Sequence, residues 1–228
     1  MIGKKAALRA LARIGSEKLP TQTSSIIVEN RSTGRLLGWL GQALSGRNLQ
    51  QKSSFLEGKK GERFASPALT ITDDPFVEQG QSSRLYDGEG MTAKALPLFE
   101  KGVLKNYYLD TFYARKLEVE PTTGSPSNSV FALGDKDQAG WMKELGKGIL
   151  ITGFLGGNSN SNTGDFSAGI QGFLFEGGEI VKPVAELNIA GNHLSFGKQL
   201  VGLGDDPYPF SARRSPCLVF EDVVVSGT

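Results

Sequence analysis

A pair of glycines between two apolar segments constrains most strongly what this chain can fold into. Gly177-Gly178 separates the apolar segment 173–176 from the segment 179–181. Two adjacent residues that can both adopt positive φ, placed between strand-like segments, predict a tight β-hairpin. In residues 166–175, bulky side chains are spaced by Gly, Ala and Gln, as in a strand with one packed face. We therefore expect a long antiparallel hairpin at the centre of the fold.

The segments around this hairpin predict further strands and turns. Residues 157–164 are rich in Asn, Ser and Gly and predict a polar loop. Pro183 cannot donate a backbone hydrogen bond, so we expect it to limit the returning strand and to leave 187–192 as a separate short strand and turn. Lys101-Gly102 lies between 98–100 and 103–104 and predicts a second, similar hairpin.

The remaining pattern predicts short helices and a strand-rich core. Helical spacing is present at 3–18, 33–45, 112–118, 137–145 and 193–200, and strands are expected at 24–29, 68–72, 148–152 and 217–225. Three glycines weaken the helix 33–45, so we expect close backbone packing to compensate. The tight connections favour antiparallel pairing. The predicted fold is α+β, with a predominantly antiparallel, curved β core, in two packed sheets or barrel-like, and a few short helices.

Charge and composition exclude several classes of function. Twenty-five basic against twenty-four acidic side chains give a net charge of +1, without the clustered cationic excess that a nucleic-acid binder uses to neutralise phosphates. No apolar run approaches the ~18 residues of a membrane span. A basic helix at 3–18 lying on a membrane is disfavoured, because its apolar face lacks a large aromatic anchor. The single cysteine, Cys217, and the absence of a secretory pattern indicate a cytoplasmic protein.

Several motifs, in order, carry a resemblance to a known family. They are 42–47 (QALSGR), 53–56 (SSFL), 86–90 (YDGEG), 109–117, 164–180 (GDFSAGIQGFLFEGGEI), 188–192 (NIAGN) and 202–206. Together the chain resembles the C-terminal half of the TldD/PmbA proteins, and specifically the PmbA (TldE) branch. Members of that family are paired subunits of a bacterial zinc metalloprotease, historically labelled modulators of DNA gyrase. The resemblance implies the same curved β core, with residues 1–20 as a helix and linker from a missing N-terminal domain and 21–228 as the C-terminal-type domain.

The resemblance also implies what this chain lacks. A catalytic zinc site needs converging imidazole, carboxylate or thiolate ligands and a general base. The HExxxH helix of the TldD branch would fall on Leu37, Gly38 and Gln42, none of which can serve, so we expect no metal and no other cofactor. The implied role is a subunit that is not catalytic alone, pairs with a TldD-like zinc-bearing subunit or with itself as a dimer, and binds unfolded peptide. The apolar surface of the N-terminal helix is the expected site of association.

We expect the peptide to bind by strand addition beside the polar loop. The candidate peptide-binding residues are Asn158, Asn160, Asn162, Thr163, Gly164, Asp165, Phe166 and Ser167. Close backbone approach there would require Gly169 and Gly172, so valine at either position is expected to impair the complex.

Other reactive side chains have simpler interpretations. His193 is expected to cap a helix or to face solvent, and Cys217, although Arg213 and Arg214 are close, to be a buried small residue. Asp73-Asp74 and Asp205-Asp206 each precede proline and are expected to form turns. Two alternatives stay open: an autonomous hydrolase of another class using His193, Asp165 and Ser167, and a structural half-protein that dimerises.

Overall fold

The centre of the fold is a ring of five strands. The structure is a computed structural model, which describes residues 2–227. The ring consists of β1 (Gln22–Val28), β6 (Lys147–Ser159), β7 (Asp165–Glu176), β8 (Glu179–Asn192) and β11 (Leu218–Ser226). The ring is closed because β1 pairs with β6 on one side and with β11 on the other. A short strand, β9 (Leu200–Leu203), pairs with β11 outside the ring. The barrel-like, antiparallel α+β prediction is confirmed.

A second sheet stands beside the ring. Its strands lie in the order β10-β5-β2-β3-β4, with the bounds β2 Ile71–Asp74, β3 Leu96–Glu100, β4 Val103–Leu104, β5 Asn128–Phe131 and β10 Arg213–Arg214. The β10–β5 and β1–β6 pairs are parallel, and the other strand pairs are antiparallel.

Within residues 2–227, six short helices surround the two sheets. They are α1 (Ile2–Leu11), α2 (Gly34–Ala43), α3 (Gly46–Gln50), α4 (Thr111–Lys116), α5 (Gln138–Leu145) and α6 (His193–Phe196), which continues into a 3-10 turn at Gly197–Gln199. Asp110 and Asp137 cap α4 and α5, since each carboxylate accepts a backbone N–H from the first turn. The predicted positions of the helices are confirmed, except that α1 ends at Leu11 rather than near residue 18, before a turn in which Gly15 has φ 79°.

The second half of β1, from Ile26 to Val28, is buried on both faces, which explains its run of apolar residues. Ile26 and Val28 belong to the large core that fills the ring and extends under α2 and the second sheet. Ile27 points the opposite way, into a smaller core with Met142 of α5 and Phe175. A strand covered on both faces reads as continuously apolar rather than alternating.

Both predicted hairpins are confirmed, and their turns explain the residues found there. Gly177 and Gly178 join β7 to β8 with φ of 61° and 82°, and Lys101 and Gly102 join β3 to β4 with φ of 47° and 78°. Positive φ at both central residues is the turn geometry that matches the twist of paired strands.

Two strands are longer than predicted. The predicted loop 157–164 is reduced to the turn 160–164, because β6 continues to Ser159. Gly156 and Gly157, both with positive φ, form a bulge between Leu155 and Asn158 that keeps the strand paired with β7. The β8 strand likewise runs through Pro183, which pairs with Phe173, so 187–192 is not a separate strand. The N and the C=O of one strand residue point to the same side, and the Pro183 carbonyl points away from β7, where it accepts from the Glu17 N–H. Proline is therefore tolerated, because its missing N–H does not face β7.

The prediction that Asp73 and Asp74 form a turn is wrong for Asp73 but holds for Asp74, whose carboxylate accepts from the Phe76 N–H at 2.8 Å and closes a turn over Pro75. Both lie in β2, which hydrogen-bonds to β3 and β5 on its two sides. The observed strand thus begins three residues and ends two residues later than the predicted strand 68–72. The sequence does not predict β5, β9, β10 or α3. The short lengths of these four elements leave little periodicity to detect.

Candidate functional site

An open cleft of about 920 Å³ lies between α2 and the second sheet. The α2 helix forms one wall, and side chains from β2, β3 and β5 form the other. At one end the cleft reaches Ser161, in the Asn-rich turn between β6 and β7. A concave site of this size, between elements of fixed position, is typical of ligand binding.

The cleft wall on α2 contains no metal ligand. Leu36, Trp39 and Ala43 recur at helical spacing and are buried, which fixes the rotation of the helix. The opposite face, with Leu37, Gly38 and Gln42, lines the cleft. These are the three positions at which the family resemblance would place HExxxH. The donor set therefore does not fit a zinc ion, because imidazole and carboxylate are both missing.

Two arginines give the cleft a positive charge. The Arg213 guanidinium lies against α2, where its Nη1 donates to the Gly34 carbonyl at 2.9 Å. It occupies the space beside Gly38, since a Cβ at Gly38 would lie 3.5 Å from Arg213 Nη1. Arg35 stacks over the Trp39 ring, with 5.8 Å between Cζ and the ring centroid. Among the described residues that line the cleft there is no Asp or Glu.

A buried polar network supports the floor of the cleft at Tyr108. The Asp73 carboxylate accepts from the Ser127 N–H and the Ser127 hydroxyl, both at 2.6 Å, and from the Tyr108 hydroxyl at 3.3 Å. Burial raises the pKa of Asp73, and the hydrogen bonds oppose that rise. Burial and the nearby carboxylate also raise the pKa of Tyr108. The network fixes Tyr108 as a neutral donor and joins β2 to the loop before β5.

The predicted peptide-binding residues fall into an exposed group and a buried group. Asn158, Asn160, Asn162, Thr163 and Asp165 are exposed. Gly164 is buried, the Phe166 ring is 5% exposed within the core, and the half-buried Ser167 hydroxyl pairs with Asn188. The structure thus brings the exposed group together at the β6–β7 turn.

Internal hydrogen bonds hold that turn in one shape. The Asn160 carboxamide accepts from the backbone of Asn162 and Thr163, and the Asp165 carboxylate accepts from Thr163 and Asn192. These two side-chain hydrogen bonds lower the pKa of Asp165. An Asn side chain that closes a turn on its own backbone explains the composition of this segment.

His193 does not face solvent, contrary to the prediction. Its ring lies between Phe166 and Phe55, with centroid distances of 4.7 and 5.3 Å, and it is 6% exposed. Its Nε2 is 2.9 Å from the Ser159 hydroxyl. Burial lowers the pKa of His193 to about 4, so the imidazole is neutral near pH 7. The residue begins α6 as predicted, but the Asn192 side chain is the cap.

The arrangement proposed for an autonomous hydrolase is not assembled. His193 contacts Ser159 instead of Ser167, and Asp165 bonds to Thr163 and Asn192. A nucleophile also needs a base that can accept its proton, and a ring with a pKa of about 4 is a weak base.

Cys217 is buried, as predicted, and burial raises the pKa of its thiol. The Asp206 carboxylate accepts from the Cys217 N–H at 2.9 Å, which ties the turn after β9 to the start of β11. Within residues 2–227, no three His, Cys, Asp or Glu side chains are grouped as a metal site would require. Over the same residues, no helix has the length and apolar character needed to cross a membrane.

No local pattern in the sequence indicates that Arg213 or the Asp73 network forms part of a site. In the sequence, Arg213 stands out only as a neighbour of Cys217. It reaches the cleft because β10 pairs with β5 at Ser129. A pairing between residues so distant in sequence leaves no local pattern. The one usable signal was Gly38, where a helix glycine leaves room for a long side chain from elsewhere.

The sequence and the fold of this chain match those of known proteins. A family model described as the PmbA/TldA metallopeptidase C-terminal domain matches residues 21–227. The chain is 32% identical over 228 residues to "Metalloprotease PmbA" of Escherichia coli O157:H7, covering 99% of this chain and 51% of that protein. A homologue of PmbA from Buchnera aphidicola is also 32% identical, with the same coverage. The chain therefore spans about half the length of the curated relatives it matches.

Solved structures share the fold over the same extent. A candidate modulator of DNA gyrase from Bacteroides thetaiotaomicron is 43% identical with a TM-score of 0.96, covering 99% of this chain and 52% of that one. TldE from Thermococcus kodakarensis is 25% identical with a TM-score of 0.88, covering 98% and 55%.

Proposed function

Because the chain belongs to the PmbA/TldA metallopeptidase C-terminal domain family, we propose that it is the zinc-free, peptide-binding component of a TldD/TldE-type peptidase. In this role it binds unfolded peptide and completes the active-site chamber around the zinc of a TldD-like partner. The chain does not cleave peptides alone. A homodimer is the alternative form of assembly, in which the same surfaces meet a second copy.

One observation carries this proposal: Leu37, Gly38 and Gln42, which line the cleft on α2, offer no metal ligand. A cleft of this size whose α2 wall has no metal ligands favours peptide binding over metal-dependent hydrolysis. The relatives' names describe metalloproteases, and the zinc chemistry of such a system belongs, in this proposal, to the partner subunit.

The backbone next to the cleft supports binding of an extended peptide. Within the part of the chain that the structure describes, β6 pairs with β1 only up to Ile151, and beyond it only with β7. Its outer edge from Gly153 to Ser159 therefore has backbone groups without a neighbouring strand. This edge ends two residues before Ser161 at the end of the cleft. Strand addition uses backbone groups, so it tolerates many side chains, which suits unfolded substrates.

A reducing, cytoplasmic setting is part of the proposal. Cys217 is a buried free thiol, and the chain has no second cysteine with which to form an internal disulfide. Chains of this kind are typical of reducing compartments.

The binding claim is tested with fluorescein-labelled, unstructured ten-residue peptides and the 228-residue chain, by fluorescence anisotropy. One peptide carries N-methyl groups on alternate residues, which removes backbone donors but keeps every side chain. A second peptide carries the N-methyl groups on the residues that the first peptide leaves unmodified. Strand addition predicts that one set weakens binding at least tenfold more than the other, because only alternate N–H groups face the partner strand. Equal effects of both sets would contradict binding at a strand edge.

The zinc claim is tested by elemental analysis and by peptide cleavage. We expect well under one zinc per chain after dialysis and no cleavage by the chain alone. Mixed with a zinc-bearing family member, the chain should raise cleavage above that of the partner alone. About one zinc per chain, lost in His193→Ala, would overturn the proposal. So would chelator-insensitive cleavage by the isolated chain that is lost in Ser167→Ala.

A further inference from the structure

The charge of the cleft defines the class of peptide it accepts. Two arginines, Arg35 and Arg213, line it, and no carboxylate of the described residues does. From this asymmetry we infer that the cleft binds a peptide carboxylate, with Arg213 as the principal contact. The inference rests on the proposed function, since it names the substrate class of the same cleft: unfolded segments that carry an acidic side chain or a free C-terminus.

Arg213 has the free donors that such a contact requires. A guanidinium has five N–H donors in a planar fork. Across residues 2–227, the single hydrogen bond from this guanidinium goes to the Gly34 carbonyl. Four N–H groups remain, enough for the paired hydrogen bonds by which Arg binds a carboxylate. The hydrogen bond to the Gly34 carbonyl of α2 restrains the Arg213 side chain, so less conformational entropy is lost when a ligand binds.

The protein's own carboxylates near the cleft are already engaged. Asp73 lies behind Tyr108 and accepts from that hydroxyl and from Ser127. Asp110 lies behind Gly124 and caps α4 by accepting from the Tyr113 N–H at 2.7 Å. Neither forms an ion pair with Arg213. The positive charge in the cleft is therefore not neutralised from within.

The rest of the cleft suits the remainder of a peptide. Leu37, Leu98 and Phe131 provide apolar contacts, while Gln42 and Asn48 provide neutral hydrogen-bonding groups. A mostly neutral site with one charged contact orients its ligand, because the charged group can bind at one place only. An acidic group at Arg213 would thus set the register of the peptide relative to the partner's active site.

Four labelled peptides of one unstructured sequence test the inference by anisotropy at low salt. They combine an internal Glu or Gln with a free or amidated C-terminus, so they separate the side-chain source of the carboxylate from the terminal one. We expect at least one carboxylate-bearing peptide to bind about tenfold more tightly than the neutral one, the fold-change for one charge-assisted hydrogen bond. The difference should shrink at high salt.

Variants then assign the effect to Arg213. Arg213→Gln should remove the tenfold preference, whereas Arg115→Gln, the same charge change on the exposed face of α4, should keep it. Gly38→Glu would place a carboxylate beside Arg213, because a Cβ there lies 3.5 Å from Nη1 without a clash. It should weaken binding of the acidic peptide at least fivefold more than Gly38→Gln does, since the two side chains differ in charge but hardly in size.

The outcomes separate the inference from the proposed function. If all four peptides bind equally, the inference is wrong and peptide binding stands. If the preference exists but survives in Arg213→Gln, the assignment to Arg213 is wrong. If none of the four binds, both the inference and the proposed function are wrong. Thermal unfolding of each variant ensures that a lost preference is measured on folded protein.

Discussion

His193 shows how one buried residue makes the whole fold sensitive to acid. Its pKa is lowered from 6.5 to about 4 because the ring is buried between Phe55 and Phe166. The unfolded chain therefore binds a proton at a higher pH than the native protein does. Between these two values stability falls as the pH falls, by about 3 kcal/mol in total.

We expect this loss in urea unfolding measured from pH 7 to pH 4. Since His193 is the chain's only histidine, its imidazole titration can be followed by NMR without assignment. His193→Phe should flatten the pH dependence between pH 7 and pH 5, where carboxylates contribute little. A native imidazole that titrates near 6.5 would refute the explanation.

Gly41 is a glycine inside α2 that can be replaced without a steric clash. Close packing was expected to explain the glycines of α2, yet nothing lies within 4 Å of a Cβ built at Gly41. Gly41→Ala should therefore stabilise the protein by up to about 1 kcal/mol, because alanine is the better helix former. Gly46→Ala is the contrasting change, since its Cβ would lie 2.9 Å from the Tyr113 Cβ. Urea midpoints should move in opposite directions, and a lower midpoint for Gly41→Ala would contradict the argument.

At the level of elements, the glycines of β7 serve the hairpin rather than a ligand. A Cβ at Gly172 would lie 1.8 Å from the Leu150 carbonyl oxygen, and one at Gly169 would lie 2.5 Å from that of Leu155. The close backbone approach expected there for a bound peptide is made by β6 itself. Valine at either position would therefore disturb the ring before it could report on peptide binding.

Gly172→Ala should accordingly destabilise the protein by about 3 kcal/mol, at the upper end for overpacked sites. Gly191→Ala is the matched control on the next strand, because its Cβ would meet only Phe166 ring carbons at 3.7 Å or more. Thermal unfolding should give a clear drop in melting temperature for the first variant and little change for the second. Equal melting temperatures would show that β6 can move away from β7 at little cost.

The elements also show which parts of the fold a sequence can predict. The β7–β8 hairpin was predictable because Gly177-Gly178 and alternating burial from Phe166 to Gly172 are local patterns. The extension of β6 was not, because Gly156 and Gly157 read as a loop unless their bulge against β7 is known. The cleft was predictable only in part: the sequence showed that α2 lacks metal ligands, whereas the position of Arg213 depends on the long-range β10–β5 pairing.

For the whole molecule, the orientation of α1 is the feature with a testable consequence. The polar side of α1 faces the ring, where Arg9 pairs with Glu29 at 2.6 Å. In the turn that follows α1, Arg13 donates to the Thr152 carbonyl at 3.3 Å. Leu8 and Leu11 are 57% and 60% exposed. A helix that presents its apolar residues to solvent is expected to be covered by another surface.

We therefore expect the chain to self-associate, or to pair with a homologue, through α1. Leu8→Ser with Leu11→Ser should lower the mass measured by light scattering at tens of micromolar. Leu85→Ser with Leu133→Ser is the control, because those leucines are 74% and 48% exposed elsewhere on the surface. A strict monomer in the unmodified chain would contradict this prediction.

The closure of the ring by β1 and β11 also determines the order in which the chain can fold. In the sequence, β6 follows the β1 strand by about 120 residues and β11 follows it by about 190 residues. Until β11 leaves the ribosome, Ile26–Val28 has one edge without its partner and the interior has a gap. Pairings this distant in sequence are slow to form. While the residues between β1 and β11 are synthesised, the nascent chain thus exposes an apolar strand edge of the kind that chaperones bind.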